Sequence, residues 1–257
     1  MLIFIYLIII LFLIYFYIKS RKPRVAFCLR GAIGKKEFSF NTSNNKIYNS
    51  GTYIDYTAVS RTIYDFIINA NPKYDFDIFI HCWNSDLKRN LIKLYNPKDS
   101  LFEDNTLYFK DFENKKGDIS QISTALSMQK VINMVLKQNI RYDYVILYRP
   151  DVILWKPINL DNYNPNIIYV NAHENSNGDF HFIMNLNNAK KFKELYNNNN
   201  ILFSQHYVFR EYIRNYMHEK LEMDNIFPLH DQEVLRKIND CSDNVKNMLK
   251  IKYNIKI

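Results

Sequence analysis

Three short apolar runs punctuate the first two thirds of the chain, and each ends abruptly in polar residues: RVAFCLRG (Arg24–Gly31), YDFDIFIHCWN with its apolar heart at Phe76 to Ile80, and YDYVILYRPD, ending at Asp151. Runs of this length, rich in β-branched and aromatic residues, predict strands buried on both faces. Between them the period changes. IDYTAVSRTIYDFIINA sets Val59, Ile63, Phe66 and Ile67 on one helical face, and ISTALSMQKVINMVLKQN carries a stripe through Leu126, Val131, Met134 and Val135. KKEFSFNTSNNKIYNSGTY, between the first strand and the first helix, is polar and irregular and reads as a surface loop.

Strand, helix, strand, helix, strand predicts a parallel α/β sheet with right-handed crossovers. Past residue 158 the pattern weakens. IIYVNA and DFHFIMN read as two strands around a turn at Asn177-Gly178, NNAKKFKELY as a short helix, and FSQHYVFREYIRNYMHEKLEM as a longer one. FPLHDQEVLRKIND brings residues 230–233 ahead of a final helix, where Asp231 has the character of an N-cap.

The N-terminus differs from everything after it. Met1 to Ile18 carries no charged side chain, and as a helix it would extend roughly 27 Å, the thickness of a hydrocarbon core. It lacks a basic leading region and a small-x-small cleavage site, so an uncleaved single-pass anchor over residues 1–18 is expected, with one domain over 19–257. Lys19, Arg21, Lys22 and Arg24 follow the span directly. The positive-inside rule then places the body in the cytosol, with a lumenal body as the alternative. Asn41-Thr42-Ser43 is a glycosylation sequon that would report on this topology.

Composition narrows the function classes. At 257 residues and 47% hydrophobic, the chain can bury a sizeable core. The formal charge of +8 raises a nucleic-acid reading, but Lys and Arg are scattered through mixed-sign segments and no nucleic-acid motif is present. A basic surface suits an anionic small molecule or a membrane equally well. Cys28, Cys82 and Cys241 are widely spaced, which argues against a disulfide framework and for small core residues. Neither a P-loop nor a GxGxxG run is present.

In parallel sheets ligands bind beyond the carboxyl ends of the strands. Three polar groups fall there: Arg30-Gly31, His81 to Asn84, and Arg149-Pro150-Asp151. With RVAFCLRG, FDIFIHCWN, YVILYRPDVILWKPI and GDFHFIMNLNNAKKFKELY taken in order, the chain resembles the GT-A glycosyltransferases, and within them the small sugar transferases of giant viruses and bacterial polysaccharide loci. The resemblance covers most of residues 24 to 196 and implies a GT-A fold: a Rossmann-like, mostly parallel sheet flanked by helices.

The resemblance also implies transfer of a sugar from a nucleotide-diphosphate-sugar donor to a glycan, lipid or protein acceptor, with Mn²⁺ or Mg²⁺ bridging the phosphates as a Lewis acid. Asp151 matches the second Asp of the family's Asp-x-Asp, the usual metal ligand, and His230 is a further candidate ligand. Arg149 stands where the first Asp would be; a guanidinium there can grip phosphate in bidentate fashion. The plainer alternative is an Arg–Asp ion pair at a strand end.

Arg30 and Gly31 are candidates for approaching the nucleotide, and His81 and Trp83 for cradling it. Ser127 and Lys130, one helix earlier, are candidates for reaching the donor. The alternatives are an ordinary turn, a buried His and core Trp, and a solvated helix face. For a general base in an inverting reaction the candidates are Asp179, Asp231 and Glu233. Two other function classes stay open: a catalytically inactive tethered binding module of the same fold, and a nucleotidyltransferase.

Overall fold

The computed structural model describes Tyr6, Ile10 and Phe12 and residues 21–41, 46–171, 179–198, 200–203, 208–227 and 231–255. Its strands are β1 (Arg24–Gly31), β2 (Lys35–Asn41), β3 (Lys46–Tyr53), β4 (Asp75–Cys82), β5 (Asp99–Phe102), β6 (Tyr144–Tyr148), β7 (Val152–Leu154), β8 (Ile168–Val170), β9 (His181–Met184), β10 (Leu221–Met223) and β11 (Gln232–Val234). The helices are α1 (Tyr56–Ile63, continued by a π turn over Tyr64–Ile68), α2 (Lys88–Tyr95), α3 (Phe109–Glu113), α4 (Ile119–Lys137), α5 (Leu186–Phe192), α6 (Val208–Glu211) and α7 (Asp243–Tyr253).

Seven strands form one sheet in the order β10-β8-β9-β6-β1-β4-β5. β1 is central and pairs in parallel with both β4 and β6. β5 and β10 are also parallel to their neighbours, whereas β9 runs antiparallel to β6 and β8. The result is a mixed α/β fold with a mostly parallel sheet flanked by helices. Period-2 alternation sorts β1 cleanly between two cores. Val25, Phe27 and Leu29 pack into the layer containing α1, while Ala26 and Cys28 face the layer containing α4. β6 divides the same way, with Tyr144, Ile146 and Tyr148 on one side and Val145 and Leu147 on the other. Each of these large apolar side chains contributes about 1.5–3 kcal/mol of burial. A charge in β1 would break whichever core its side chain faces.

α4 is placed by its sequence as much as by packing. The Asp118 side chain caps it by accepting from the Ser120 and Gln121 amides, and Ile122, Ala125, Val131, Ile132 and Val135 are buried against the sheet. Gly31, at the end of β1, has φ +104°, and a Cβ there would meet nothing within 4 Å. The turn therefore needs glycine for its backbone angle rather than for space.

Several expectations change. The polar stretch before α1 forms the antiparallel hairpin β2–β3 instead of an irregular loop. Among the described residues, the longer helix expected near 203–223 covers Val208 to Tyr216 and gives way to β10. Asp231 is followed by strand β11 rather than by a helix, so it is not an N-cap. The turn at Asn177-Gly178 lies outside the described residues.

The single-pass membrane location is corrected as well. No helix among the described residues is long and apolar enough to cross a membrane. α4 has 19 residues, but Gln121, Ser123, Thr124, Gln129 and Lys130 interrupt any apolar span. Apart from Tyr6, Ile10 and Phe12, the stretch from 1 to 18 lies outside the described residues.

Candidate functional site

The carboxyl ends of β1 and β6 are adjacent, and the chain turns away from each with an arginine at the rim. Between those ends and the first turns of α4 lies a cavity of about 210 Å³, lined by Arg30, Gly31, Trp83, Arg149, Asp151 and Asp179 among others. Six of the residues singled out by sequence thus meet in one place. Asn105 and the α4 hydroxyls of Ser120, Ser123 and Thr124 complete its polar wall. The first α4 amides are already engaged by Asp118. The helix therefore presents side-chain hydroxyls here more than bare N–H groups.

Arg149 is held from three sides. Its Nε and Nη2 donate to Oδ1 and Oδ2 of Asp151, each at 2.9 Å, and its Nη1 donates to Oδ2 of Asp179 at 3.1 Å. The guanidinium also lies 5.5 Å from the Phe180 ring centroid, within cation–π range. Asp151 is buried, and Arg149 remains about one-fifth exposed. Burial alone would lower the Arg149 pKa, but Asp151 and Asp179 outweigh it and carry it above its ordinary value.

Arg30 is 2% exposed. It donates through Nη2 to the main-chain carbonyl of Asp179, and its buried Nε has no hydrogen-bond partner among the described residues. Burial pushes its pKa down to about 10; Asp179 opposes the shift and Arg149 reinforces it. Two permanent cations therefore face one cavity, and one of them holds an unanswered donor.

No family model matches this chain, and no curated protein matches it. Among solved structures it is similar to the inositol-1-phosphate CTP transferase from T. maritima, at 10% identity and TM-score 0.45, covering 92% of this chain and 99% of that one. It is also similar to a glycosyltransferase involved in glycosylation of the major capsid of PBCV-1, at 8% identity and TM-score 0.38, covering 79% and 82%. At such values neither likeness assigns an activity to this chain.

The other sequence candidates sit elsewhere. His81 and Ser127 are fully buried, with His81 Nδ1 2.7 Å from Ser127 Oγ, and they do not line the cavity. Lys130 does not reach the cavity either. It binds Glu103 at 2.7 Å and the Tyr108 hydroxyl at 2.8 Å. Burial drives the His81 pKa down to about 4, opposed by Glu103 and reinforced by Lys130. The Glu103 carboxylate is 3.6 Å from Nε2, too far for a hydrogen bond. Trp83 joins the two regions, packing edge-on against His81 with ring centroids 4.4 Å apart while lining the cavity.

Of the three candidate bases, Asp179 alone lines the cavity. The Asp231 carboxylate is spent on the Phe227 amide at 3.0 Å and on Lys156 at 3.1 Å. Glu233 is buried in β11 and accepts from the Val234 amide at 2.7 Å. Burial raises its pKa, against the lowering pull of that amide, Lys237 and Arg149.

The metal expectation meets a different arrangement. His230 lies outside the described residues. Among the described residues, no three His, Cys, Asp or Glu side chains gather to hold a metal ion. Both oxygens of Asp151 already carry the Arg149 fork, so the carboxylate expected to bind a divalent ion is engaged by a guanidinium.

Two features escaped the sequence reading. Ser120, Ser123, Thr124 and Ser127 follow one another at helical spacing, a hydroxyl stripe running from the cavity to His81, and that period was present to be read. Beneath the site, buried His181 bonds Asp224 through Nε2 and lies 3.3 Å from Gln232 Oε1 through Nδ1, joining β9, the segment after β10, and β11. No local motif announces a pairing between residues so far apart in the chain.

Proposed function

We propose that the protein is a glycosyltransferase that moves a sugar from a nucleoside-diphosphate sugar to an acceptor hydroxyl on a glycan, lipid or protein. The observation that carries the reading is the convergence of Arg30, Arg149 and Asp179 on one cavity at the carboxyl ends of β1 and β6. In the reaction the bond from the sugar's anomeric carbon to the phosphate oxygen breaks, and its electron pair stays on the phosphate. The two guanidinium groups stabilise that developing charge, strongly because the site is largely buried. The acceptor oxygen forms the new bond to the anomeric carbon. In an inverting reaction its proton passes to the Asp179 carboxylate, the one cavity-lining candidate base. The cavity is smaller than the ~300–1,000 Å³ usual for small-molecule sites, a size that suits a diphosphate with the nucleoside extending past Trp83.

The test is a panel of UDP-, GDP-, CMP- and dTDP-sugars assayed for donor hydrolysis and thermal stabilisation. Slow hydrolysis of one donor with release of the nucleoside phosphate is expected. Release of pyrophosphate from a nucleoside triphosphate would replace this reading with nucleotidyl transfer, and no turnover of any donor would leave a binding module.

A further inference from the structure

The fork between Arg149 and Asp151 bears on how the leaving group's charge is met. A divalent ion at Asp151 would have to displace two charge-assisted hydrogen bonds of 2.9 Å each from a buried carboxylate. It would then sit beside two guanidinium groups close enough to perturb one another electrostatically. Like charges repel more strongly the less water screens them, and a divalent ion doubles that repulsion for each arginine. Asp179 offers no relief, because one of its oxygens and its main-chain carbonyl already serve Arg149 and Arg30.

We infer that Arg30 and Arg149 together take the place of a divalent ion, and that Asp151 is a positioning residue for Arg149 rather than a metal ligand. Two guanidinium groups carry the charge of one divalent cation. Arg149 is fixed by Asp151, Asp179 and the Phe180 ring, and it lines the cavity in that held position. Arg30 brings a buried Nε with no partner among the described residues, a donor that an anion's oxygen would satisfy. The proposal rests on the transferase reading for its biological sense but not for its test, which uses inorganic pyrophosphate.

Calorimetric titration of the full chain with pyrophosphate, in EDTA and separately with Mn²⁺, reads the inference directly, and Mn²⁺ binding alone is followed by electron paramagnetic resonance. The expected result is pyrophosphate binding in EDTA, no tighter with Mn²⁺, and no saturable Mn²⁺ site. Arg149→Asp, which restores Asp-x-Asp, should weaken pyrophosphate about 30-fold in EDTA through loss of charged hydrogen bonds. The same variant should acquire a Mn²⁺ site.

Pyrophosphate binding that requires Mn²⁺, or a saturable Mn²⁺ site in the wild type, would overturn the inference whatever the variant does. Absence of pyrophosphate binding under both conditions would overturn it together with the anion site. Pyrophosphate held in EDTA while no nucleotide sugar is turned over would support the inference and remove the transferase reading.

Discussion

His81 should make the protein acid-sensitive in a defined window. Its imidazole has no exposed surface, contacts Ser127 through Nδ1 and keeps its charge off until pH is about 4, against an ordinary value of 6.5. In the unfolded chain the same residue takes up a proton near 6.5. Between those values the unfolded state binds more protons, so stability falls as pH falls through the window and is fully present above it. Each unit is worth 1.36 kcal/mol, which puts the full loss at roughly 3 kcal/mol. His81→Asn preserves a hydrogen-bonding atom near the Nδ1 position and cannot titrate. Urea unfolding of both proteins from pH 7.5 to 4.5 should show the wild type losing up to about 3 kcal/mol relative to the variant, with equal denaturant slopes. Parallel stability curves for the two proteins would refute the reasoning, as would an NMR titration showing His81 protonated at pH 6.

The site yields further outcomes. Asp179→Asn should lower kcat by about 10²–10⁴-fold with donor affinity little changed, measured by steady-state and binding assays. Asp151→Ala should reduce activity and also cost roughly 3 kcal/mol in urea unfolding, because it leaves the Arg149 guanidinium without its buried partner. His181→Phe should cost about 1–3 kcal/mol by stranding the buried Asp224 carboxyl, again read by urea unfolding. Glu233 has its folded pKa raised above the ordinary 4.5, so it favours folding below that value, and the benefit is lost as pH rises through the folded pKa. Glu233→Gln should therefore remove that loss, and its unfolding midpoint at pH 7 should equal or exceed the wild type's.

The strands around β1 were legible because each is buried on both faces and leaves a continuous apolar run. Arg24–Gly31 matches β1 at both ends, and Tyr144–Tyr148 and α4 were equally plain. β5, β10 and β11 were not. They are three or four residues long, β5 and β10 are only partly buried, and the partners of β10 and β11 lie far away in sequence, so no periodicity accumulates. The β2–β3 hairpin hid for another reason: it is a two-stranded sheet of its own, and its sequence is polar with little apolar alternation.

At the site, Arg30, Arg149 and Asp151 were readable because charge at the end of a buried strand has few structural uses. Asp231 and Glu233 misled. An acidic cluster before an apolar stretch resembles a helix start, yet tertiary contacts spend one carboxylate on Phe227 and Lys156 and bury the other in a strand.

β7 is the continuation of the segment that carries Arg149 and Asp151, and among the described residues its strand partner is β11, from far later in the chain. The Leu235 amide also closes onto the main-chain carbonyl of Asp151 at 2.8 Å. Loop closures of that span form slowly. The central sheet can therefore collapse around β1, β4 and β6 before the pairing that backs the Asp151 segment is complete. The protein should show a folding phase in which the cores are protected from hydrogen exchange and the anion site is still unformed, and pyrophosphate, binding only the finished rim, would slow unfolding without accelerating the initial collapse.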